Sequence, residues 1–154
     1  MREEHYIDCF VYELELTSRT CHEVFKRWFE KNTSSLLSIE EFTIMDTIDC
    51  NKNLSQIELA QTILKGKAHT GKFLDTLEEK GYITRIYDTK NSRMVKIPVM
   101  TDLGQEIYTK MRRQLKGLAD ISDKILTAEE EKDFIKTLKN FRIKINEIET
   151  ISFK

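Results

Sequence analysis

The 154-residue sequence holds a single proline, Pro98, and only five glycines. Chain breakers this scarce exclude a loop-rich protein and favour long helices. Cysteine is equally thin, at Cys9, Cys21 and Cys50. An odd, sparse set supplies no disulfide framework and no CxxC pair, and it points to a reducing, cytoplasmic setting. No run approaches the ~18 apolar residues of a spanning helix, so no membrane partner is expected. The opening MREEHYIDCF is acidic and lacks the basic and apolar blocks of a leader. There is no glycine-rich phosphate loop, no GxSxG and no defensible pair of carboxylates, so neither enzymatic activity nor a cofactor is expected. For a metal, only His5 with Cys9 and the adjacent Cys21 and His22 come into question. Adjacent helical residues diverge and no HxxxH spacing exists, so no metal is expected. Repeats and low-complexity segments are absent as well.

What is present is an uneven charge distribution. The overall net charge is only −1, but residues 1–64 carry 6 Lys/Arg against 12 Asp/Glu, residues 65–96 carry 8 against 4, and residues 97–154 carry 11 against 10. One short segment is therefore locally +4. Phosphate binding depends on local field, because salt screens anything beyond ~8–10 Å. A solvated helix that happens to carry lysines is the plainer alternative.

Apolar spacing sets out the elements. Ile7, Val11, Leu14, Ser18, Cys21, Phe25 and Trp28 step by four and three, which predicts a helix over 6–30, and Phe10, Val24 and Phe29 widen its stripe. Ser38-Ile39-Glu40-Glu41 and Ser55-Gln56-Ile57-Glu58 are capping boxes, predicting helices to about Asn51 and Leu64. A helix over Lys67–Lys80 follows, inserting Phe73, Leu74 and Leu77 and exposing Lys67, His69, Thr70 and Lys72 on its first turns. Gly81 fits a glycine C-cap. Ile83–Tyr87 and Met94–Val99 read as strands around Thr89-Lys90-Asn91-Ser92, with Pro98 tolerated near an edge. Thr101-Asp102 opens a long helix to about Leu126, with Leu103, Ile107, Met111, Leu115 and Leu118 on one face. Thr127-Ala128-Glu129-Glu130 caps a last helix carrying Phe134, Leu138, Phe141, Ile145 and Ile148. Stripes of this width at both ends imply helices burying each other across two chains, with a bundle inside one chain as the alternative.

In order and spacing, Leu54–Gly104 resembles the MarR family of winged-helix regulators. The resemblance rests on Leu54-Ser55, Leu59-Ala60, Leu77-Glu78-Glu79-Lys80-Gly81-Tyr82-Ile83, the basic Arg85, the wing stretch Asp88-Thr89-Lys90-Asn91-Ser92-Arg93, and Met100-Thr101-Asp102-Leu103-Gly104. Lys90 stands where the family has arginine, Asn91 where it has aspartate and Met100 where it has leucine. The implied fold is mostly α with a small β-hairpin wing: a winged helix-turn-helix at 38–100 plus a helical dimerisation region from 1–37 and 101–154.

The resemblance implies a homodimer that binds double-stranded DNA at a near-palindromic operator, more often as a repressor. The helix at 67–80 would enter a major groove, with His69, Thr70 and Lys72 near base edges and Lys67 at its start. Ser55 and Gln56 would add phosphate contacts, Lys90 and Arg93 would reach the minor groove, and Arg85 the backbone. It further implies release by a small aromatic effector bound between the dimer region and the winged helix, or by an oxidant acting at Cys9, with Tyr12 nearby. The alternative is a winged-helix protein-interaction module without DNA binding.

Overall fold

The computed structural model describes residues 5–152, the side chains of 118–120 and 149–152 excepted. Backbone contacts divide the chain into two compact units, 1–115 and 116–154. In the first unit a 3-10 turn (Tyr6–Asp8) precedes α1 (Phe10–Asn32), α2 (Ile39–Cys50), α3 (Gln56–Thr62), α4 (Lys67–Glu79), β1 (Ile83–Lys90), β2 (Arg93–Met100) and α5 (Asp102–Gln114). The second unit holds a 3-10 stretch from Leu115–Leu118, one α-turn (Ala119–Ser122) and α6 (Ala128–Ser152). The fold is mostly helical with a single antiparallel hairpin, a winged helix with helical extensions.

The caps start the helices where the sequence indicates. Ser38 Oγ accepts from the Glu41 N–H at 3.1 Å, and the Glu41 carboxylate accepts from the Ser38 N–H at 2.7 Å. Ser55 and Glu58 repeat this at 3.3 and 2.7 Å. Thr127 and Glu130 do so before α6, at 3.3 and 2.8 Å. Two boundaries differ from expectation. The first helix proper begins at Phe10, because Cys9 is extended and offers no side-chain cap. The helix expected to reach Leu126 stops at Gln114 and tightens into 3-10 geometry across Gly117. Glycine weakens a helix interior by about 1 kcal/mol. Leu118, expected on that helix's apolar face, is outside the described side chains.

The core of the first unit centres on Phe29, Ile44, Met45, Leu59, Leu74, Leu77, Ile83, Tyr108 and Met111, each at most 2% exposed. A file of rings runs from α1 through α2 to α5. Phe25–Phe29, Phe29–Phe42 and Phe42–Tyr108 have centroids 6.3, 5.8 and 5.6 Å apart, the range in which aromatic pairs attract beyond simple burial. Tyr108 Oη donates to Asp46 Oδ1 at 2.7 Å. Burial and the Asp46 carboxylate both push this phenol up from its ordinary value. The ends of α1 and α5 thus share the winged helix's own core.

The hairpin is closed by two residues, Asn91 (φ 49°) and Ser92 (φ 62°), with Lys90 paired to Arg93. Two consecutive left-handed residues make the turn whose twist matches flanking strands. The strands are longer than their apolar pattern indicates, because cross-strand pairing continues to the turn itself.

At the foot of the hairpin, Thr101 Oγ1 donates to Gly81 O (2.7 Å) and the Thr101 N–H donates to Tyr82 O (3.0 Å). Thr101 Oγ1 also accepts the Gly104 N–H at 3.0 Å. This closure brings Gly104 against the Tyr82 carbonyl, where a Cβ would lie 1.9 Å from the oxygen.

Candidate nucleic-acid interface

The helix-turn-helix is assembled from α3 and α4. Its turn uses Leu64 at φ 52°, with the Lys65 N–H donating to Ala60 O at 3.0 Å. Close approach of the two helices depends on Gly71, whose missing Cβ would sit 3.3 Å from Gln56 Nε2. Gly66 is the N-cap of α4, no side chain caps the helix there, and no acid occupies its first turn. Its leading N–H groups and the positive end of its dipole therefore face outward together, an arrangement that favours an anion.

Lys67, His69 and Lys72 are exposed along the first two turns of α4. The His69 ring sits edge-on to Phe73, with centroids 4.8 Å apart. On β2, Arg93, Met94 and Lys96 are exposed. A 330 Å³ cleft is lined by Ser55, Gln56, Ile57, Lys67, Met94, Val95 and Lys96, so Lys67 and Lys96 share it. Lys96 is a residue the sequence reading passed over. Its Nζ lies 5.7 Å from the centroid of the exposed Tyr87 ring. No pattern in the sequence singles it out, since three residues beyond Arg93 it points to the opposite face of the strand.

Three expected contact residues are placed elsewhere. Thr70 is fully buried, with its Oγ1 unpartnered, because α4 packs a wider face inward than Phe73, Leu74 and Leu77 alone indicate. The Arg85 side chain is only 14% exposed. Its guanidinium lies 2.6 Å from Asp75 Oδ1 and 3.6 Å from Glu78 Oε2, both on α4. Lys90 Nζ donates to Glu58 Oε2 at 2.7 Å and to Asn53 O at 2.5 Å. That bond from Lys90, followed by those from Ser55, lowers the Glu58 carboxyl to about 2, so it stays ionised at any physiological pH. Ser55 is also buried and occupied as a cap, so it positions Gln56 and Ile57 at the cleft rim.

A second cavity, of 250 Å³, lies on the other side of α4. It is bounded by His22 and Phe25 of α1, Ile39, Glu40, Thr43 and Ile44 of α2, and Ile63, Lys65, His69, Thr70 and Phe73 around α4. It combines apolar walls with a few polar groups, the composition of small-molecule sites. Cys9 is half-buried at the head of α1, while Cys21 and Cys50 are exposed. Among the described residues no three His, Cys, Asp or Glu side chains are grouped to hold a metal ion, and no helix is long and apolar enough to cross a membrane.

Apolar side chains remain exposed outside the winged helix. On α1 and the turn before it they include Tyr6, Ile7, Phe10 (65% exposed), Val11 and Val24, and on α6 Phe134, Ile135, Ile143, Ile145 and Ile148.

Comparison with known proteins gives three findings. Residues 37–95 match the family model described as the MarR family. No curated protein matches in sequence. Solved structures do match in fold. A cysteine-to-serine mutant of MarR from E. coli, complexed with operator DNA, has a TM-score of 0.73 at 20% identity, covering 90% of this chain and 99% of that one. BldR, a transcriptional regulator from Sulfolobus solfataricus, has a TM-score of 0.72 at 22% identity, covering 92% and 99%. BpsR from Bordetella bronchiseptica, whose DNA binding is regulated by 6-hydroxynicotinic acid, has a TM-score of 0.73 at 14% identity, covering 90% and 96%.

Proposed function

We propose that this chain, whose winged helix matches the MarR family, is a homodimeric DNA-binding transcriptional regulator, acting as a repressor at a near-palindromic operator. One observation carries the reading: Lys67, at the uncapped start of α4, and Lys96 of β2 line one cleft together with Gln56. In this reading His69 and Lys72 approach base edges in the major groove, and Lys67 with the α4 N-terminus holds a phosphate. Gln56 and Lys96 grip the backbone on the cleft walls, and Arg93 enters the flanking minor groove, where arginine sheds its water more readily than lysine. In this reading Thr70, Arg85 and Lys90 make no contact with DNA, which the burial of Thr70 and the internal partners of Arg85 and Lys90 support.

The dimer is supported by the apolar faces of α1 and α6. Fully burying such a side chain is worth about 1.5–3 kcal/mol, and a row of them left wet marks an interaction surface. Two-fold pairing would set two α4 helices about one duplex turn (~10 bp) apart. The 250 Å³ cavity is our candidate effector site. It suits a small aromatic acid or phenol, with Phe25 and Phe73 against the ring and Lys65 or His69 meeting the acid. A ligand there bears directly on α4, which links occupancy to DNA release. Release by oxidation at Cys9 is the competing trigger, and Cys9→Ser separates the two.

The test is selection of duplexes from a random library by the full chain, followed by affinity against salt. With about six phosphates contacted, affinity should fall ~10³-fold or more between 50 and 200 mM salt. Recovery of no duplex, or a flat salt response, favours a protein-interaction module instead.

A further inference from the structure

Lys90 has an assignment different from the one its charge suggests. The hairpin tip is bent back so that its ammonium meets two acceptors near the start of α3, Glu58 Oε2 at 2.7 Å and Asn53 O at 2.5 Å. The same Glu58 oxygen accepts the Ser55 N–H at 2.7 Å, so one carboxylate atom both caps α3 and holds the wing. Asn53 is itself left-handed (φ 67°), which places it in a tight bend just before the helix. A matching arrangement occurs at the other capping box of this unit. There Lys80 Nζ donates to Glu41 Oε1 at 2.7 Å, tying the end of α4 to the start of α2.

We propose that Lys90 is a positioning residue, a latch that docks the wing tip on the α3 cap and so fixes where its cross-strand neighbour Arg93 is presented. The inference rests on the DNA-binding reading above and adds a division of labour within it. A lysine whose Nζ already serves two protein acceptors contributes geometry to DNA binding, whereas Arg93, its exposed cross-strand neighbour, contributes charge. The two roles differ in a measurable way. Losing a phosphate contact lowers the salt slope of log K by about 0.9, while losing a positioning contact lowers affinity at every salt concentration and leaves the slope alone.

The experiment uses the full chain and the duplex that the wild type recovers from a random library. Lys90→Met should weaken binding about three- to tenfold with an unchanged salt slope, the scale expected of one part-exposed ion pair with an added hydrogen bond. Lys90→Arg should restore most of the affinity. Glu58→Gln keeps the capping box, since glutamine also serves there, but removes the charge, and it should cost about as much as Lys90→Met. The double variant should be no worse than either single one, because both remove the same latch. Without DNA, the backbone amides of Ser92–Met94 should exchange faster in both single variants. A salt slope lowered by about 0.9 in Lys90→Met makes Lys90 a phosphate contact and overturns the latch. Multiplying losses in the double variant, or unchanged exchange at the tip, also overturn it. A wild type that recovers no duplex defeats the DNA reading, and the latch's role with it, whatever the exchange data show.

Discussion

Replacing Gly104 with alanine tests the packing on which the hairpin foot depends. Taken alone, the change should help, since alanine is about 1 kcal/mol better than glycine inside a helix. The structure predicts the opposite sign. The new Cβ would lie 1.9 Å from Tyr82 O and 2.8 Å from its carbonyl carbon, both backbone atoms with no rotamer to move aside. Ordinary contact requires a retreat of roughly 1.5 Å by either α5 or the strand entry. Neither is free. Tyr82 O already accepts the Thr101 N–H at 3.0 Å, and the Tyr82 N–H donates to Leu77 O at 2.9 Å. Overpacking costs about 1–3 kcal/mol and the strained hydrogen bond about 1 more, so after the propensity gain the net loss is about 1–3 kcal/mol. For a chain of this length that lowers Tm by roughly 2–12 °C. The assay is thermal unfolding at matched protein concentration, since association would shift Tm by mass action. Gly66→Ala is the comparison free of any clash, because nothing lies within 4 Å of the Cβ built there, and it should lose only the N-cap preference for glycine over alanine, about 1 kcal/mol or less. A Gly104→Ala protein that melts at or above the wild type refutes the reasoning.

Three further outcomes follow from the same coordinates. Thr70→Val removes a buried hydroxyl with no partner, so stability in a urea titration should hold or rise by up to about 1 kcal/mol, with DNA affinity unchanged; a tenfold loss of affinity would put Thr70 back among the contacts. Lys96→Ala should weaken DNA binding and reduce the salt slope by about 1, as read by fluorescence anisotropy at several salt concentrations. The raised Tyr108 phenol means that the folded state keeps a proton which the unfolded state gives up above its ordinary value near 10. Stability should therefore fall as pH rises past 10, and in Tyr108→Phe that part of the decline should vanish from pH-dependent melts.

The elements that could be read from the sequence are those whose causes are local. Each capping box spans four residues, so Ser38, Ser55 and Thr127 announce their helices without reference to the rest of the chain. The hairpin is visible from its turn chemistry, and the Thr101–Gly104 stretch acquires a physical reason once Gly104 is seen against Tyr82. What could not be read depends on partners far along the chain. Arg85 and Lys90 look like free cations until Asp75, Glu78 and Glu58 are brought beside them. Thr70 looks exposed because a polar side chain does not reveal that its helix buries a broader face. Lys96 went unnoticed because the strand around it reads as apolar. The early end of α5 at Gln114 falls just before Gly117, a weak helix former that the apolar stripe running through it conceals.

The two-residue reversal at Asn91 and Ser92 leaves this hairpin without slack. Side chains alternate along a strand, so one residue inserted there, with the pairing carried along, would hand every position of β2 to the opposite surface. Ile97, now 1% exposed, would leave its buried face, and Arg93 and Lys96, which point to opposite faces of the strand, would exchange sides. Nearby loops can lengthen at small entropic expense, but here chain length itself is under constraint, and changes in wing reach must come through substitution.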